Sequence, residues 1–155
     1  MIRNAYDNSI LYTDYVLTEA INSLASYSDL CSAFFFCSDH GEDLMDDERR
    51  RFLHSSPTVT YYQLHVPALT WFSEQYAANF ADKVISATVN LDAPATTYSV
   101  FHTIADIAAI SSPYVNTKAS LVSSEFDYSA TRYYLDDHNN AAPLDDEIGI
   151  TSHDM

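Results

Sequence analysis

Asp39 and His40 stand side by side in "AFFFCSDHGEDL", at the point where a run of phenylalanines gives way to polar residues. A carboxylate and an imidazole are the O and N donors that suit zinc or a similar divalent ion. Side chains alternate along a strand, and that alternation stops where the strand ends, so two adjacent residues there can turn toward one point. Spacing alone leaves a second reading open, in which Asp39 caps its own turn beside an exposed His40. His54, ahead of Ser-Ser-Pro, and His65, at the start of "HVP", add imidazoles near the same loops. Each suits a metal site and equally suits a satisfied surface or core histidine.

These residues need elements to hold them. "NAYDNSILYTDYVLTEAINSLAS" carries apolar residues at Tyr6, Ile10, Leu17, Ile21 and Leu24, a helical spacing that predicts an amphipathic helix over about residues 4–26. "YSDLCSAFFFCS" predicts a turn and then a buried strand at about 31–37, whose end is where α/β proteins place ligand chemistry. A helix leading into a buried strand is half of a parallel-sheet unit. A second apolar run at about 64–72 contains Pro67, which marks the start of a neighbouring strand. "SEQYAANFADKVISAT" predicts a helix, Asn90 to Thr97 a loop, and "YSVFHTIADIAAI" another amphipathic helix over about 98–110. From Ser111 onward the pattern is irregular, with one short strand at "RYYL". The expected fold is therefore α/β, a mainly parallel sheet flanked by helices.

Composition narrows the function further. The chain has 155 residues, enough for one domain with a core, and a formal charge of −15 from 22 acidic and 7 basic residues. No basic stripe exists to neutralise a phosphate backbone, which argues against a nucleic-acid partner. Acidic residues cluster at Asp43 to Glu48 and Asp136 to Glu147, as a solvated surface or as an attraction for a divalent cation. No segment reaches the roughly 18 consecutive apolar residues of a membrane span, and the first residues lack the pattern of a signal peptide. Cys31 and Cys37 are too far apart along an extended strand for a disulfide, so buried free thiols are expected. Only two glycines occur, Gly41 and Gly149. Most turns must then use Asn, Asp, Ser and Pro, and Gly41 marks a positive φ or a close backbone approach.

Five segments in order, "AYDNSILYTDYVL", "SDHGEDL", His54-Ser-Ser-Pro, "QLHVPALTW" and "FHTIADIAAI", resemble the C-terminal part of a phosphoethanolamine transferase of the alkaline phosphatase and sulfatase superfamily. The resemblance covers about residues 4–110, and "YLDDHN" is similar to a variant in Bacteroidetes-type members. It divides the chain into a motif-bearing core, 1–110, and a less regular tail, 111–155. It implies that Asp39 and His40 are metal ligands of the family's "DHGE" segment, helping to hold zinc. His54 matches a histidine implicated in binding substrate or a second zinc, with Ser55 where the family usually has glycine, and is a candidate acid or base for the leaving oxygen. Glu42, together with Gly41, falls into a supporting position behind the ligands. His65 and His102 lie in family motifs without an implied catalytic role.

The resemblance further implies an activity in which a threonine takes phosphoethanolamine from a phospholipid donor and passes it to lipid A or another glycan acceptor. That activity belongs to the periplasmic side of the inner membrane. The family's threonine nucleophile and a glutamate ligand come from segments upstream of the tyrosine-rich helix. Thr13, Thr58 and Thr60 match no nucleophile segment, so no nucleophile is assigned within this chain. Two rivals remain: a sulfatase or phosphodiesterase that transfers to water, and an inactive fragment whose uncovered apolar face drives self-association.

Overall fold

The computed structural model describes residues 2–46, 48–54, 59–136 and 138–144. Helix α1 (Ile2–Ala25) opens the chain, as its periodic apolar residues require. None of its residues is buried, and Ile10, Leu11, Tyr12 and Tyr15 are each more than half exposed. An Arg3–Asp46 ion pair of 2.8 Å ties its first turn to the rest of the chain.

Strand β1 (Ala33–Cys37) is the "AFFFC" run. The chain then forms a small ladder between β2 (Asp43–Leu44) and β3 (Phe52–Leu53), a single helical turn α2 (Tyr61–Leu64), and β4 (Ala68–Phe72), which starts immediately after Pro67. β1 pairs with β4 antiparallel, Ala33 opposite Phe72 and Cys37 opposite Ala68. All three ladders among the described residues are antiparallel, which corrects the expectation of a mainly parallel sheet. Parallel neighbours need a long crossover connection, usually a helix, whereas among the described residues the one helix between β1 and β4 is the four-residue α2.

Ser73 joins β4 to the next helix. Its hydroxyl accepts from the backbone N–H of Tyr76, capping α3 (Glu74–Asn79), and from Ser32 N–H, while it donates to the Leu30 carbonyl. The single helix expected over this stretch breaks at Phe80, which ends α3 and precedes α4 (Ala81–Val89). Phe80 leaves helical geometry and packs its ring 4.9 Å from Tyr76, which in turn stacks on Phe72. Helix α5 (Tyr98–Ile107) comes next, then a 3-10 turn (Thr117–Ala119) and a terminal hairpin of β5 (Tyr133–Leu135) and β6 (Ala141–Pro143).

The core lies between α3, α5 and the segment after it, around Tyr76, Ala105, Ala119, Val122 and Phe126. Buried polar groups there are paired, as burial demands. Thr103 Oγ1 accepts from Leu121 N–H, Ser120 donates to Asp106, and Lys83 pairs with the other Asp106 oxygen. Turns use few glycines, as the composition requires: Met45, Arg50, Leu53, Ala109 and Asn139 all adopt positive φ. Only Asn139 is one of the residue types expected to take that role. Cys37 is half-buried and free, while Cys31 precedes β1 and is exposed, against the expectation of two buried thiols.

Candidate metal centre

The end of β1 delivers Asp39 and His40 into a loop that runs along α2. Gly41 makes the close approach: a Cβ there would lie 1.9 Å from the Tyr62 carbonyl oxygen, and its N–H donates to the Gln63 carbonyl at 2.8 Å. Of the two reasons for glycine expected at this position, the need for space is the one the structure displays.

Asp39 is solvent-facing, its side chain 89% exposed. One of its oxygens accepts the His40 backbone N–H at 3.0 Å, and the other lies 3.8 Å from His40 Nε2. The turn-capping reading and the metal-facing reading of Asp39 thus use different oxygens of one carboxylate. His40 Nδ1 is 3.0 Å from the Gly41 carbonyl oxygen. A proton on Nδ1, donated to that carbonyl, leaves the Nε2 lone pair facing Asp39, the usual arrangement of a ligating histidine.

The β2–β3 ladder, Asp43 opposite Leu53, returns the chain so that His54 meets Glu42. His54 Nδ1 lies 2.9 Å from Glu42 Oε1, and the His40 and His54 rings are 3.9 Å apart. Donor atoms of His40, Glu42 and His54 all fall within 4.8 Å of one another. Glu42 Oε2 is buried and has no hydrogen-bond partner among the described residues. A buried carboxylate oxygen without a partner is costly, and a cation among these donors would satisfy it. The donor set and the orphan oxygen both fit a divalent metal.

The structure thus brings His40, Glu42 and His54 together, with Gly41 between two of them in sequence and Asp39 at the exposed edge, in contact with His40 alone. Residues 55–58, which hold the Ser55 that replaces the family's glycine and Thr58, lie outside the described residues. His65 is engaged with Tyr61, whose hydroxyl is 2.8 Å from its Nδ1 and whose ring stacks on it. His102 is buried in the core and its Nδ1 accepts from Asn116 N–H. Thr60 donates its hydroxyl to Asp43, and Thr13 sits on the exposed α1. Sequence reasoning missed Asp43, Thr60 and Gln63. Asp43 belongs to an acidic cluster read as solvated surface or a cation attraction, yet it is only 2% exposed. Gln63 stands in the "QLHVP" motif, which was the available signal.

Beside the centre is a cleft of about 450 Å3. Asp39, His40 and His54 line it together with Cys37, His65 and the β5 residues Tyr133 and Tyr134. Burial, with the Asp39 charge as a lesser cause, raises the Cys37 thiol pKa above its ordinary value.

Compared with known proteins, the chain matches the Sulfatase family profile over residues 1–110, and it belongs to that family. The phosphoethanolamine transferase EptA of Salmonella typhimurium is 40% identical over 80 residues, which are 50% of this chain and 14% of that protein. The Kdo(2)-lipid A phosphoethanolamine 7''-transferase of the same organism is 35% identical over 78 residues, 49% of this chain and 13% of that protein. The chain thus matches only a small part of the length of these relatives. Its fold is that of the C-terminal periplasmic domain of Escherichia coli EcEptC, crystallised in complex with Zn, at a TM-score of 0.73 and 24% identity. That likeness covers 92% of this chain and 39% of the crystallised one.

Proposed function

We propose that this chain forms part of the metal centre of a phosphoethanolamine transferase, a larger enzyme that moves phosphoethanolamine from a phospholipid to lipid A or a related glycan acceptor. The observation that carries the reading is the convergence of His40, Glu42 and His54 after β1, with Asp39 beside His40, in a chain 40% identical to EptA over 80 residues. The periplasmic origin of the EcEptC domain supports the same side of the inner membrane as its working location.

Asp39 and His40 are the proposed zinc ligands, through Oδ2 and Nε2. Zinc–ligand bonds of about 2.0–2.2 Å place two ligands of one ion within roughly 3.5 Å, so the observed 3.8 Å needs only a small adjustment. Bound there, zinc would lower the pKa of an attacking hydroxyl and screen charge developing on the phosphoryl oxygens. Glu42 supports the centre by accepting the Nδ1 proton of His54, which orients the ring with Nε2 outward; Nε2 would take up a proton there and, once protonated, give it to the leaving oxygen. No hydroxyl of this chain is assigned as nucleophile; the attacking group is expected from polypeptide outside these 155 residues.

A second metal reading is favoured by the orphan oxygen of Glu42, with His40, Glu42 and His54 as three donors of one ion. Zinc content per chain separates the two, since Asp39→Ala removes the ion in the first arrangement and leaves it in the second. The activity is tested on the intact enzyme by supplying phosphatidylethanolamine and lipid A, with aryl sulfate as the alternative substrate. Transfer to lipid A supports the reading, and turnover of sulfate alone replaces it with a hydrolase of the same family. The exposed apolar face of α1 also supports self-association of the isolated chain.

A further inference from the structure

Glu42 can meet His54 only if the loop carrying it is held at a fixed height above α2. One residue, Gln63, grips that loop on both sides of Glu42. Its backbone carbonyl takes the N–H of Gly41 at 2.8 Å, and its side-chain Nε2 donates to Asp43 Oδ2 at 2.5 Å. The other Asp43 oxygen accepts the Thr60 hydroxyl at 2.6 Å, and Thr60 Oγ1 in turn accepts Gln63 N–H at 3.3 Å. Asp43, Thr60 and Gln63 are 2%, 2% and 6% exposed.

The geometry points to Gln63 and Asp43 as positioning residues that set Glu42 against His54. The inference deepens the metal-centre reading and rests on it for its consequence, though not for its geometry. Asp43 is a buried carboxylate held by two neutral donors and no cation among the described residues. Such an arrangement is specified by donor direction: the amide must give and the carboxylate must accept. Neither residue touches the reacting atoms. Their action runs through residues 41–43, which fixes the point from which the Glu42 side chain reaches His54.

The donor direction supplies the test. Gln63→Glu sets two carboxylates against each other in a buried site and should release the loop. Adding Asp43→Asn restores a hydrogen bond in the reverse direction, with the new amide donating to the new carboxylate and its oxygen still accepting from Thr60. Two readouts are taken on the full 155-residue chain at one pH: the nitrogen-15 resonance of His54 Nδ1, which reports the Glu42 contact, and zinc affinity. Gln63→Glu should move the His54 resonance toward that of a free ring and weaken zinc binding by roughly 10–100-fold. The double variant should recover both. If Gln63→Glu alone fails to fold, the double variant carries the test, and a native His54 resonance in it supports the clamp. An unchanged His54 resonance in the single variant, or a double variant no better than the single, overturns the inference. Should the unmodified chain take up no zinc, the metal reading falls, while the His54 resonance still decides the positioning role.

Discussion

Glu42 Oε1 lies 2.9 Å from Nδ1 of His54, a contact made across the β2–β3 ladder by residues twelve apart in sequence. One carboxylate oxygen is used in that contact, and the other is buried without a partner. Glu42 is thus half satisfied, and it stands in a group of metal-binding donors with His40 and His54.

Glu42→Gln should weaken zinc binding by roughly 10–100-fold without removing it, because the amide loses a negative charge 3.8 Å from Nδ1 of the proposed ligand His40. Replacing Asp39 and His40 together by Ala should abolish binding. Metal content by mass spectrometry after dialysis checks both, and full retention of zinc in the double variant would place the ion elsewhere.

Gly41→Ala should be among the most damaging single changes in the chain. The new methyl would sit 1.9 Å from the Tyr62 carbonyl oxygen, a backbone atom that cannot rotate away. We expect a loss of about 1–3 kcal/mol, the usual range for forced overpacking, in chemical denaturation. A variant as stable as the parent would mean that the loop and α2 separate easily.

Much of this arrangement is legible in the sequence, for reasons that differ by residue. Asp39, His40 and His54 are visible because their chemistry is rare and their spacing is local. Helix α1, strand β1, and β4 after Pro67 follow from periodicity and from proline's effect on a strand. The antiparallel pairing of β1 with β4 is not legible, since an apolar strand reads the same in either direction and the four-residue α2 is too short to show a helical period. Asp43 is likewise hidden: an acidic residue among acidic residues reads as surface, and only the fold brings Thr60 and Gln63 to it.

The two thiols should differ in reactivity. Cys31 is exposed, whereas Cys37 is half-buried in the cleft wall with its pKa raised by burial and by Asp39. Iodoacetamide at neutral pH should label Cys31 first, because alkylation runs through the thiolate. Peptide mapping at early times reads the order, and equal rates would argue against a closed cleft wall.

Tyr76 gives the fold a sensitivity to alkali. Its hydroxyl donates to the Ile107 carbonyl, and burial, with Asp106, Cys31 and Asp82 as lesser causes, pushes its pKa up to about 12. The unfolded chain releases this proton near pH 10 while the folded one retains it, so its stabilising contribution is intact below about pH 10 and is lost as pH rises toward 12. Urea midpoints should fall more steeply over that range in the parent than in Tyr76→Phe. Parallel curves would show that the hydroxyl is no more buried than the other tyrosines.

The exposed face of α1 should reveal itself in solution. Sedimentation velocity across a wide concentration range is expected to show association, and Leu11→Glu with Tyr15→Glu should reduce it. A monodisperse monomer at all concentrations would mean that the face is tolerated in water.

The β2–β3 ladder also decides where the chain can lengthen. Asp43 pairs with Leu53 and Leu44 with Phe52, and Met45 N–H closes onto the Arg51 carbonyl just beyond them. The tip of this hairpin is therefore fastened at its neck, so residues added around 46–50 would lengthen a loop whose ends stay fixed. Doubling such a loop costs only about 0.6 kcal/mol in closure entropy. The tip is a natural place to insert a tag or a fluorophore, and a place where length can drift between relatives, while His54 on the far side of the neck keeps its position.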